Sequence, residues 1–159
     1  MTVDTAASAA GSAHTDGLWA QRVGTRCYTG HNSRGAVVAM GPAEAGAVFT
    51  PGELLKIALA GCAGMSADTA VARRLGSDVD ITVHVAGIKH PDDERYPALH
   101  EELVVDLSGL DPAERNRVET VVRRAIARNC TVGRTLERGA EVELSLADGS
   151  EPAAPAAGR

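Results

Sequence analysis

The chain has 159 residues, of which 44% are hydrophobic and 23% charged, with a formal net charge of -5; that is the size of one ordinary domain with a full core. No run of Lys or Arg forms a basic patch, and only Trp19, Tyr28, Phe49 and Tyr96 are aromatic, which argues against nucleic acid as a partner. No apolar run approaches the roughly 20 residues of a membrane span, and the opening lacks the basic start and apolar core of a secretory signal, so the expected setting is cytoplasmic, away from membranes.

Residues 1–17 and 147–159 are small and polar or rich in Ala, Pro and Gly. They predict disordered tails around one folded domain, 18–146. "LWAQRVGTRCY" and "GAVVAM" predict two strands joined through "TGHNSRG" as a hairpin. A long helix is expected from Thr50: Thr50 as N-cap, Pro51 at the first helical position and Glu53 closing a capping box, with a stop at Gly76. "DVDITVHVAG" and "LHEELVVDLSG" alternate apolar and polar residues and predict two strands, each with one buried face. Asp111, Pro112 and Glu114 repeat the same start signals for a second helix, whose stripe is Val118, Val121, Val122, Ala125 and Ile126. A short helix over Thr131–Arg138 and a closing strand, "AEVELSL", complete the order β-β-α-β-β-α-β. The fold class is α+β, with two helices on a mainly antiparallel sheet.

Three cysteines, Cys27, Cys62 and Cys130, cannot pair completely within one chain, and without a CxxC or a nearby His pair they make no structural zinc site. Leu54, Leu55, Ala58, Leu59, Cys62 and Met65 recur at helical spacing, which puts Cys62 on the buried face of the first helix. Gly61 and Gly64 beside it each cost about 1 kcal/mol against alanine, an expense that close packing against another backbone offsets. Cys62 is then either a small core residue or a nucleophile kept dry. Cys130 follows the second helix between Arg128 and Arg134, where orphan N–H donors and cations favour a thiolate. Cys27 reads as a packing residue.

"TPGELLKIALAGCAGMSADT" and "RAIARNCTVGRTLERGAEVEL" together resemble the two signatures of the OsmC-like family, which includes the organic hydroperoxide resistance proteins. The likeness runs from Leu18 to Leu146 and is nearer the less characterised OsmC-like branch. The resemblance implies an intertwined homodimer with its sites at the subunit contact, and no cofactor or metal. It implies that Cys62 reduces an organic hydroperoxide, that Cys130 resolves the resulting sulfenic acid as a disulfide, and that an external dithiol restores both thiols. It also implies an arginine that activates Cys62, assigned to Arg34, and a glutamate that holds this arginine, for which Glu53 serves as well as for the capping box. A binding module for a hydrophobic small molecule and a thiol redox sensor are the alternatives.

Overall fold

A computed structural model describes residues 17–146. Both expected tails lie outside the described residues, apart from Gly17. The chain divides into two compact units, one of residues 17–49 with 142–146 and the other of residues 50–141.

The first unit is a three-stranded antiparallel sheet, β1 (Leu18–Gly24), β2 (Cys27–Asn32) and β3 (Val37–Met40), in that order. The expected two-stranded hairpin is corrected here, because its first strand folds back on itself at Thr25-Arg26. Arg26 adopts a φ of 58°, a left-handed conformation that nothing about arginine announces. Trp19 stacks on His31 across this ladder, with ring centroids 5.2 Å apart. The β2–β3 turn is the expected one: Asn32 Oδ1 accepts from the backbone N–H groups of Arg34 at 2.9 Å and Ala36 at 3.0 Å, a side chain closing its own turn.

The second unit holds α1 (Pro51–Leu75), β4 (Ile81–Ala86), β5 (His100–Val105), α2 (Pro112–Asn129) and α3 (Thr131–Arg138). Both capping boxes form. Glu53 N–H donates to Thr50 Oγ1 at 3.2 Å while Thr50 N–H donates to Glu53 Oε2 at 2.7 Å; Asp111 and Glu114 do the same at 2.8 and 3.2 Å. α1 ends at Gly76, whose φ is 101°. Gly52, in its first turn, leaves room for the Tyr96 ring, which any Cβ there would strike.

α1 is long and apolar enough to cross a membrane by length and composition alone, which corrects the expectation that no segment is. One face of it nevertheless belongs to a protein core. Ala67 and Val71 of α1 pack with Val118 and Val122 of α2, and Ile81, Leu103, Val105 and Ile126 close over them. β4 and β5 pair antiparallel from Ile81↔Val105 to Ala86↔His100, with Ile81, Val83 and Val85 on the inner side.

The order among the described residues is thus β-β-β-α-β-β-α-α, an α+β fold with two antiparallel sheets. The expected last strand is absent. Val142, Leu144 and Leu146 do alternate, but they are 91%, 89% and 95% exposed. The segment has the pattern of a strand and no ladder partner among the described residues.

Candidate active site

On α1 the buried ridge is Leu59, Ala63, Ala67 and Val71, one residue per turn. Cys62 lies on its flank, half-buried, and Met65 is 82% exposed. The expected stripe through Leu55, Cys62 and Met65 is therefore rotated from the true one. Between Ala58 and Gly64 small residues stand on every side, so spacing alone could not set the phase of the stripe. The packing of α2 and β4 sets it instead. Gly64 faces Val83 at ordinary contact distance, 3.5 Å from an added Cβ, whereas Gly61 has open space. The close backbone approach expected of these two glycines is not made among the described residues.

Cys130 is 2% exposed and joins two helices. Its N–H donates to Ile126 O at 2.9 Å, ending α2. Its sulfur accepts from Gly133 N–H at 3.3 Å, capping α3. A Cβ on Gly133 would stand 3.2 Å from that sulfur and 3.6 Å from Leu59 Cδ1, so glycine is what lets α3 settle against α1. This places the first turn of α3 beside Cys62.

The two thiols meet there and are perturbed in opposite directions. Burial works against the Cys62 thiolate, but the backbone N–H of Val132, the Cys130 thiol and the backbone N–H of Thr131 together outweigh it and lower the Cys62 pKa. These are the uncompensated donors of a helix N-terminus, which favour an anion. Burial raises the Cys130 pKa; the Gly133 N–H only partly offsets this, and Cys62 and Glu101 add to it. The donors after residue 129 were expected to favour a thiolate on Cys130. They favour one on Cys62, where the N–H groups of Val132 and Thr131 lower the pKa, while Cys130 is dry and opposed by Cys62 and Glu101. Glu101 of β5 opposes both thiolates, and its own carboxyl is raised by burial and by Glu137 of α3.

Glu53 is at the start of α1, its Oε2 engaged by Thr50. Arg34 is an exposed residue of the β2–β3 turn in the first unit. Cys27 opens β2, where an added Cβ on Gly41 would stand 3.3 Å from its sulfur, in keeping with a packing role. Sequence reasoning missed the donors of Thr131 and Val132. Their signal was available: a cysteine immediately before a short helix is an N-cap, and whatever lies opposite that cap receives the helix N-terminus. Cys62 also opens into a cleft of about 880 Å³ between α1 and α2, within the size range of small-molecule sites.

Comparison with known proteins agrees with this architecture. Residues 44–145 match the model of the family described as OsmC-like protein. An uncharacterized protein of Mycobacterium tuberculosis is 50% identical over 131 residues, covering 82% of this chain and 96% of that protein. Among solved structures, the OsmC-like protein of Mycoplasma pneumoniae superposes with a TM-score of 0.56 at 16% identity, over 79% of this chain and 89% of its own. The organic hydroperoxide resistance protein OhrB of Bacillus subtilis superposes with a TM-score of 0.50 at 21% identity, over 77% and 90%. With the family model spanning both cysteines and the fold shared, the chain belongs to the OsmC-like family.

Proposed function

We propose that the protein is a thiol-dependent peroxidase for organic hydroperoxides. The Cys62 thiolate attacks one peroxide oxygen. An S–O bond forms, the O–O bond breaks, and the leaving alkoxide takes up a proton to depart as the alcohol, leaving Cys62 as a sulfenic acid. The Cys130 sulfur then attacks the sulfenic sulfur. The S–S bond forms, the oxygen leaves as water, and an external dithiol returns two electrons to restore both thiols.

One observation carries this reading: neighbouring thiols with opposite perturbations, the half-buried one favoured as thiolate and the buried one held protonated. An attacking thiol needs a lowered pKa and access. A resolving thiol need only wait within reach. Arg34 is carried in the proposal as a guanidinium that adds to the activation of Cys62, and a cytoplasmic setting as the place where dithiols recycle the pair.

A homodimer belongs to the same proposal. Met65 on α1, and Val142, Leu144 and Leu146 near the end of the described chain, are apolar and almost fully exposed. Exposed apolar groups of this kind are what a subunit contact covers, and the open side of Gly61 suits the close approach of a second helix. Sedimentation at micromolar concentration should show a dimer, and a monomer would remove this part.

The test of activity is consumption of tert-butyl hydroperoxide with dithiothreitol as reductant. The protein should turn over, and Cys62→Ser should not. Absence of turnover, or a Cys62→Ser variant as fast as the parent, refutes the proposal.

A further inference from the structure

Two helices assemble a basic cleft that the sequence scatters. Arg73 and Arg74 end α1, Arg124 and Arg128 lie one turn apart near the end of α2, and all four line the cleft into which Cys62 opens. Along α1, Cys62, Ser66, Ala70 and Arg73 follow the helical repeat. The cleft therefore runs from the thiol to the last turn of α1, a rise of about 16 Å at about 1.5 Å per residue. Between its basic positions the apolar side chains of Met65, Ala70, Val121 and Ala125 stand among polar ones such as Ser66 and Thr69.

The charge of this lining is one-sided. The chain carries 21 acidic residues against 16 basic ones, yet no acidic residue lines the cleft. Among the described residues the ion pairs are Lys89–Glu94 and Arg95–Asp93, so none of the four arginines is paired. Like charges gathered in one concavity repel one another and raise the local concentration of anions. Guanidinium is also the group whose planar fork matches carboxylate and phosphate oxygens.

We propose that this cleft binds the acidic head group of an amphiphilic substrate, with Arg73, Arg74, Arg124 and Arg128 as the anion-binding set and the apolar lining holding the chain that reaches Cys62. The identity of that substrate as a hydroperoxide rests on the peroxidase reading. The anion site itself does not.

The first arm of the test needs no turnover. Calorimetry on the full chain would compare laurate, dodecyl phosphate and uncharged dodecanol. Laurate or dodecyl phosphate should bind at least about tenfold more tightly than dodecanol, as a charge-assisted contact implies, and the tighter of the two identifies the head group. The double variant Arg124→Gln/Arg128→Gln should lose about tenfold for the anion, whereas Arg117→Gln/Arg123→Gln, which removes the same charge outside the cleft, should lose nothing. The second arm compares kcat/KM for linoleic acid hydroperoxide and its methyl ester. The acid should be favoured by about tenfold, with the ratio falling toward one in the Arg124/Arg128 variant. Equal binding of anion and alcohol, or equal losses in both double variants, overturns the anion site. Arginine-dependent laurate binding without any hydroperoxide turnover supports the anion site and overturns the peroxidase reading alone.

Discussion

Cys62 and Cys130 lie side by side and bear on each other's titration, yet the first is lowered and the second raised. The asymmetry comes from α3, which begins at Thr131: its first N–H groups favour charge on the sulfur of α1, while the cysteine that caps it is sealed in the core. A short helix thereby gives two chemically identical groups opposite shifts.

The pH dependence follows from the sign of the Cys62 shift. The thiolate is the reactive form, so the rate of sulfenate formation is full above the Cys62 pKa and is lost as pH falls through it. Because that pKa is lowered, the plateau should be reached at a lower pH than for an unperturbed cysteine thiol. The rate of iodoacetamide alkylation of Cys62 against pH, in a Cys130→Ser background, measures it. This background removes one favourable contact, so the shift it reports is a lower bound.

Thr131→Pro tests the helix N-terminus directly. Proline is accepted at a first helical position, and Cys130 before it is extended, with φ -72° and ψ 96°, outside the helical region that a following proline disfavours. The substitution deletes one donor near Cys62 and leaves the helix in place. The Cys62 pKa should rise and the reaction with tert-butyl hydroperoxide at neutral pH should slow several-fold, with the circular dichroism spectrum unchanged.

Glu101→Gln should act the other way. Its carboxylate opposes ionisation of both thiols, so its removal should lower the Cys62 pKa further and extend activity to more acidic pH. A pH–rate profile for the variant beside the parent gives the comparison.

How much of this could be read from the residues differs from element to element. Both capping boxes, the stop at Gly76 and the short helix over 131–138 were legible because Thr, Asp, Pro, Glu and Gly act locally at those positions. The split of the first strand was not, since the left-handed position of its turn is held by Arg26 and not by a glycine or asparagine. The phase of α1 was hidden by its small residues, which fit any side of a helix. The alternation of Val142, Leu144 and Leu146 was read correctly as a pattern, but a strand needs a neighbour and the described residues supply none. That Cys62 and Cys130 influence one another was legible only as a possibility, since it requires the ends of two helices to meet. The backbone donors of Thr131 and Val132 that lower the Cys62 pKa depend on a contact between α1 and α3 that no local signal encodes.

The stability of the second unit should depend most on the few residues at its centre. Val71 is fully buried against α2, and Val71→Ala should cost about 2 kcal/mol in urea unfolding. Thr50→Ala removes one half of a capping box and should cost about 1 kcal/mol. Neither site touches the thiols, so the Cys62 pKa should stay where it is in both variants.

The most direct test of the central claim is peptide mapping by mass spectrometry after one equivalent of tert-butyl hydroperoxide is added to the fully reduced Cys27→Ser protein. The account predicts a single cross-link, Cys62 to Cys130, and in Cys130→Ser a sulfenic acid at Cys62 that a dimedone probe captures. Recovery of both cysteines as free alkylated thiols after the peroxide has been added would contradict it.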